Sequence, residues 1–332
     1  MPKKVESNEG SGDDRKATIY DLARISGYSS GTVSRVLNNR ANVAQKTRDR
    51  ILKAAKELNI RPQLSARMRQ VAILTDPFSS DRLEGYTANL TSHLAFALSH
   101  RDIAVSFPAN PMEDLPKMFL DGIIAINCVS NFGRFLAEME TRLPVVYMDK
   151  FDVSGHQYSV RSDHYDAGRK AADYLIARGK KKLAFFAQKT LPHEERLRGF
   201  RDGIESAGLT VDPFSMVLDD TSARLAAITR IAKSGADSIF IPGSSYQALE
   251  ALHILTYVMG LKVPEDISIV GGENEGISAI SSPPLTTIEE PLQEMAEGAV
   301  EMMDKLIAGS VVEEKVRTLP ISLIERNSVS GT

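Results

Sequence analysis

The sequence predicts an all-α helix-turn-helix headpiece followed by an α/β body built on parallel sheets. Three observations predict it. Two short amphipathic segments lie near the start, joined by the glycine-containing turn "SGYS" at 26–29. Charge divides unevenly: residues 1–70 carry 15 Lys and Arg against 7 Asp and Glu, a surplus of +8, while the remainder carries −11. From residue 71 onward, short apolar runs alternate with helical segments: "VAILT", "DGIIAIN", "PVVYMD", "KLAFFA", "SIFIPG" and "ISIVGG". Runs this short and this apolar suit strands buried on both faces and joined by crossover helices. There are enough of them for two sheets rather than one.

The totals bound the alternatives. A chain of 332 residues, 42% hydrophobic and 25% charged, has ordinary globular composition and room for two or three domains. Its single cysteine, Cys128, excludes an internal disulfide and fits a reducing compartment. Residues 1–16, "MPKKVESNEGSGDDRK", lack an apolar stretch and read as a disordered arm, not a leader. No apolar run reaches the ~18 residues of a membrane span. A basic segment on a larger acidic body points to a polyanion partner for the first part alone.

The headpiece is expected over 17–60. "TIYD" at 18–21 has the form of a capping box with a short acid, and Ile19, Leu22 and Ala23 mark one helical face. A second helix follows the turn. On its wheel Val33, Val36 and Leu37 gather on one side, with Ser30, Gly31, Ser34, Arg35 and Asn38 on the other. A third helix is expected from about residue 44 to 58, with Ile51, Ala54, Ala55 and Leu58 inward. Two short helices, a tight turn and a third helix form a helix-turn-helix unit. The polar face has little bulk, so the backbone can approach a major groove, and Arg35 can reach base edges or phosphates. An arginine well placed on guanine contributes roughly 1–3 kcal/mol of discrimination.

"TIYDLARISGYSSGTVSRVLNN" followed by "KTRDRILKAAKELNIRP" closely resembles the DNA-binding headpiece of the Lac repressor family of bacterial transcription regulators. The resemblance implies that Ser30 and Gly31 occupy the first base-reading pair, and Arg35 the third base-reading position. Thr32 and Ser34 match phosphate or base-edge contacts, and Thr18, Tyr28, Ser29 and Asn38 complete the DNA-facing set. A Ser-Gly pair removes reach and moves direct readout onto Arg35. In family members a hinge helix then enters the minor groove, where a leucine wedges between base pairs. Here the hinge, 61–70, reads "RPQLSARMRQ" and is several residues short. Arg67 matches the pattern, Arg69 stands at the wedge position and Met68 is beside it; Met68 or Leu64 in a shifted register is the alternative wedge. Phosphate neutralisation is an equal reading of Arg67 and Arg69. Weaker DNA bending than is typical of the family is the expectation.

The resemblance continues through "SDHYDAGRKAADYLIARGKKKLAFF", "RLRGFRDGIESAGL", "MGLKVPEDISIVGG", "PPLTTIEEPLQEMAEGAVEMMDKLI" and "LIERNSV", covering nearly the whole chain from residue 17. It implies an effector-binding and dimerisation domain over 71–332 with the fold of periplasmic sugar-binding proteins. Two Rossmann-like subdomains are expected, 71–161 with 290–318 and 162–289 with 319–332. Ligands of such sheets bind beyond the carboxyl ends of strands. The effector candidates are therefore Phe78, Asp149, Arg196, Ser244 and Glu273. Acidic groups and an arginine at strand ends suit a hydroxyl-rich ligand. Each candidate also has a plainer reading: Asp149 as a loop cap, Arg196 as a surface residue, Glu273 as the partner of a structural cation. A long helix over 81–102 lies where family dimers meet, with Leu90, Leu94 and Ala97 as interface or core.

Enzyme chemistry finds no footing. The six histidines are dispersed, and HExxH, GxGxxG and a phosphate loop do not occur. No cofactor or metal is expected. The chain is expected to be a repressor acting as a homodimer on a pseudo-palindromic double-stranded DNA operator, away from membranes, as a cytoplasmic, nucleoid-associated protein. A sugar or related metabolite is expected to modulate it. The alternatives are a regulator of the same fold that has lost small-molecule response, and a solute-binding protein. The last would carry a leader and no headpiece.

Overall fold

A computed structural model describes residues 18–37, 43–58, 69–75, 85–108, 110–115, 118, 120–128, 132–219, 224–243, 246–273 and 276–331. These fall into two compact units, one ending before Arg69 and one beginning with it. The first holds α1 (Ile19–Ser26), α2 (Ser30–Leu37) and α3 (Gln45–Glu57). Thr18 caps α1: its hydroxyl accepts from the Asp21 N–H while the Asp21 carboxylate accepts from the Thr18 N–H at 2.8 Å. Gly27 ends the helix at φ 76, a left-handed conformation that glycine adopts without penalty. Leu22, Val33, Val36, Leu37, Ile51, Ala54 and Ala55 form the small core, the apolar stripe that the helical wheels select.

In the second unit the chain first builds β1 (Arg69–Thr75), α4 (Gly85–Ser99), β2 (Ile103–Ser106), α5 (Pro111–Asp114), β3 (Gly122–Ile126), α6 (Gly133–Glu140), β4 (Val145–Met148) and β5 (Tyr158–Ser162). It then crosses into a second lobe. That lobe runs α7 (His164–Ala177), β6 (Leu183–Gln188), α8 (Leu191–Ser206), β7 (Met216–Asp219), α9 (Arg224–Lys233), β8 (Ser238–Ile241), α10 (Gln247–His253), β9 (Ser268–Gly272) and β10 (Thr286–Glu289). The chain returns with α11 (Leu292–Ile307) and β11 (Val316–Leu319), and crosses a last time into β12 (Ser322–Ile324).

The first sheet has the order β2-β1-β3-β4-β5-β11 and is parallel throughout. The second has the order β7-β6-β8-β9-β10-β12 and is parallel except at its last edge, where β12 runs antiparallel to β10. Only residues 320 and 321 separate β11 from β12. β11 belongs to the first sheet, so this two-residue link carries the chain directly from the edge of one sheet to the edge of the other.

Both sheets are sandwiched by helices. In the first lobe, α4 and α11 bury Leu90, Leu94, Met295 and Met303 on one face of the sheet, and Leu136 and Met139 of α6 cover the other. Leu90 and Leu94 are fully buried within this lobe and so belong to its core; Phe96 on the same helix is 68% exposed. In the second lobe, α9 and α10 cover one face and α7 and α8 the other. Phe185, Phe200 and Phe240 meet there with ring centroids 5.6–5.8 Å apart, the offset spacing that aromatic rings prefer. No helix among the described residues is long and apolar enough to cross a membrane.

Candidate DNA-binding and effector-binding sites

In the headpiece, α2 buries Val33, Val36 and Leu37 and leaves Ser30, Gly31 and Arg35 exposed, with Ser34 half-buried. A Cβ on Gly31 would meet only the Ser29 hydroxyl, at 3.9 Å, so the start of the helix has open space beside it. Several expected contact residues already have structural duties. Ser29 accepts from the Thr32 N–H at 3.2 Å and its hydroxyl lies 2.9 Å from that of Thr32, capping α2. The Thr18 hydroxyl donates to Asp21 at 2.7 Å. Tyr28 packs against the small core, with the Arg50 guanidinium 6.0 Å from its ring centroid. Asn38, Arg67 and Met68 lie outside the described residues. Arg69, expected at the DNA, is the first residue of β1, and its guanidinium engages Asp304 of α11.

In the body, the carboxyl ends of the strands carry a polar cluster that spans both lobes. Asp149 follows β4 with φ 56, and Asn127 follows the adjacent β3 with φ 49. Two non-glycine residues in the left-handed region at neighbouring strand ends mark the kind of strain that collects at functional sites. The two oxygens of Asp149 are both engaged: Oδ1 lies 2.9 Å from His164 Nε2, and Oδ2 accepts from the Tyr86 hydroxyl. His164 opens α7, and its other nitrogen, Nδ1, is 3.9 Å from Glu290 Oε2. Glu290 follows β10. It accepts from the Ser162 hydroxyl at 2.5 Å and from the Arg196 guanidinium, also at 2.5 Å.

Burial sets the electrostatics. It would push the Asp149 carboxyl up, but His164 beside it, the hydrogen bonds from His164 and Tyr86, and the charge of Arg196 outweigh this and hold it below its usual range. Tyr86 is pushed well above its ordinary value by burial and then by the Asp149 charge, so it stays a neutral donor. His193, one turn before Arg196, is lowered to about 3 by burial and by the Arg196 charge. Its Nδ1 lies 2.8 Å from the Gln188 carbonyl.

Arg196 reaches this cluster because α7 and α8 touch backbone to backbone. A Cβ at Gly199 would fall 2.0 Å from the Tyr165 carbonyl oxygen, and one at Gly168 only 1.8 Å from that of Arg196. Asp149, His164 and Glu290 each present a ligand atom within 4.8 Å of the others, and are the described residues best able to hold a cation. The guanidinium on Glu290 and the phenol on Asp149 already supply the positive charge and donors that these carboxylates need.

The structure thus brings together two of the five expected effector residues, Asp149 and Arg196. Glu273 is turned to a structural pair: it accepts from Arg326 at 2.8 Å and from the Thr287 hydroxyl, tying the end of β9 to the C-terminal segment. Phe78 and Ser244 lie outside the described residues. Sequence reasoning passed over Tyr86, Ser162, His164, His193 and Glu290. The strand-end rule that selected Asp149 also points to Ser162 at the end of β5 and to Glu290 just beyond β10.

Residues 18–63 match the family of bacterial regulatory proteins, lacI family, and residues 172–329 match the periplasmic binding protein-like domain. The HTH-type transcriptional repressor PurR of Aliivibrio salmonicida is 28% identical over 94% of this chain and 99% of its own. The HTH-type transcriptional regulator DegA of Bacillus subtilis is 26% identical over 95% and 98%. Among solved structures, the complex of transcriptional regulator CelR with cellobiose superposes with a TM-score of 0.67 at 25% identity, over 94% of this chain and 99% of that one. The lac repressor dimer bound to operator and the anti-inducer ONPF has the same fold, with a TM-score of 0.68 at 22% identity over 96% and 100%. A helix-turn-helix headpiece on a periplasmic-binding-like body defines a DNA-binding transcription regulator and not an enzyme. The chain thus joins a lacI-family DNA-binding domain to a periplasmic binding protein-like domain.

Proposed function

We propose that the protein is a repressor that binds a pseudo-palindromic operator as a homodimer, and that a sugar or sugar derivative held between the two lobes of the body changes its DNA affinity. The observation that carries the effector reading is the polar cluster at the strand ends. Tyr86, Asp149 and Ser162 come from the first lobe, His164 and Arg196 from the second, and Glu290 from the crossover between β10 and α11. A ligand entering there exchanges hydrogen bonds with both lobes at once, which is how it would change their mutual arrangement. The cellobiose complex of CelR supports a carbohydrate class, and the PurR relative supports repression. In the headpiece, Ser30, Gly31, Ser34 and Arg35 face the major groove, with Thr18, Tyr28, Ser29 and Thr32 setting the helix ends that hold them there.

The test is thermal unfolding of the whole chain against a panel of neutral sugars, sugar acids and nucleobases. A ligand at 100 times its dissociation constant stabilises by about 2.7 kcal/mol. A shift lost in Arg196→Ala supports the reading; a shift retained in that variant moves the ligand elsewhere. One observation favours a second reading, a regulator without small-molecule response. Arg196 is already occupied by Glu290, so the cluster is satisfied without any ligand. That reading expects no shift from any compound together with full operator binding.

A further inference from the structure

We propose that Arg69 and Asp304 are positioning residues for DNA binding, whose ion pair anchors the body end of the segment leading to the headpiece. The inference rests on the DNA-binding reading above. Arg69 is the first residue of β1 and directly follows 61–68 in sequence. Its guanidinium engages Asp304 Oδ1 and also donates to the Arg101 carbonyl at 3.3 Å. Arg101 in turn donates to Asp304 Oδ2 at 3.3 Å. One carboxylate therefore gathers the start of β1, the turn after α4 and the last turn of α11. An acid in the last turn of a helix faces the negative end of its dipole, so Asp304 is poorly placed for its own helix and well placed only for these cations.

The three side chains are 30–39% exposed, so the pair adds little to global stability. Its consequence is geometric. Gln70, next along β1, is held by the Asp121 carboxylate at 2.8 Å and by Ser106. Arg69 and Gln70 are thus both pinned at the start of the body, where the sequence arrives from the headpiece. The same helix begins two residues after Glu290 of the polar cluster and runs about 24 Å to its far end. Met295, Ala299, Met302 and Met303 bury it in the core of the first lobe along that length. A ligand that draws Ser162 or Arg196 away from Glu290 acts on one end of a packed helix whose other end holds Arg69.

A positioning role and a direct DNA contact predict opposite signs. If Arg69 touched phosphate, Asp304→Asn would release a cation and raise affinity. If Arg69 is an anchor, Asp304→Asn lowers it. The experiment selects an operator from random DNA with the wild-type chain. It then measures binding by fluorescence anisotropy across a salt series for wild type, Arg69→Gln, Asp304→Asn and the double variant, with thermal unfolding in parallel. The expected result is a loss of about fivefold or more in each single variant and no further loss in the double. The slope of log affinity against log salt stays unchanged. Asp304→Asn binding as tightly as wild type, or tighter, overturns the proposal. So does an additive double variant, or a slope reduced by about one in Arg69→Gln. If a single variant also loses thermal stability, the double variant decides. A wild-type chain that enriches no sequence overturns the DNA-binding reading itself, an outcome distinct from a wild type that binds and variants that match it.

Discussion

Arg196 and Glu290 lie 94 residues apart in sequence and meet at 2.5 Å in a site where their side chains are 6% and 11% exposed. Replacing the arginine leaves a buried carboxylate with one donor fewer, and breaking such a pair from one side costs about 3–5 kcal/mol. Arg196→Met is therefore expected to lower the urea midpoint of the body by that order, and Glu290→Gln by clearly less, because its amide oxygen can still accept from Arg196. On the exposed face of α2 proposed to read DNA, Arg35→Ala is expected to weaken operator binding by roughly 1–3 kcal/mol and to relax selection at one position per half-site. Repeating the selection from random DNA with that variant checks both. Asp149 and Arg196 were legible in the sequence because each stands beside a strand or motif with a fixed place in the fold. His164 was not, because what makes it part of a site is contact with Asp149 across 15 residues; Glu290 stands just beyond a strand, but its pairing with Arg196 across 94 residues leaves no local pattern.

At the level of elements, the α7–α8 contact determines where Arg196 points. Gly199→Ala would place a methyl group 2.0 Å from the Tyr165 carbonyl, so the helices must separate. Overpacking of this kind costs about 1–3 kcal/mol. Denaturant unfolding should show that loss, and any ligand shift should fall with it, because α8 carries Arg196. The strands that were legible are those buried along their length, such as β3 and β4, every residue of which is buried. Strands β2 and β11 stand at edges and are mostly half-buried, so they lack the continuous apolar run that announces an interior strand. The reversed direction of β12 was hidden for another reason: it depends on how the chain passes from the first sheet to the second, not on the strand's own residues.

For the whole molecule, acid is the informative stress. The unfolded chain protonates His193 near its ordinary value of about 6.5, whereas the native chain resists until about 3. The unfolded state therefore binds more protons in that interval, so the His193 contribution is level above about pH 6.5 and lowers stability as pH drops below it. His193→Asn should flatten that slope in urea midpoints taken between about pH 7.5 and pH 5. The lowered Asp149 carboxyl adds a further loss only below the ordinary carboxylate range, as pH falls through its native value. The closing stretch of the chain has another consequence. β11 completes the edge of one sheet and β12 the edge of the other, so both lobes wait for the same short stretch, 316–324, to leave the ribosome. A message cut short just after α11 would yield a headpiece and two unfinished lobes, not one sound lobe and one damaged one.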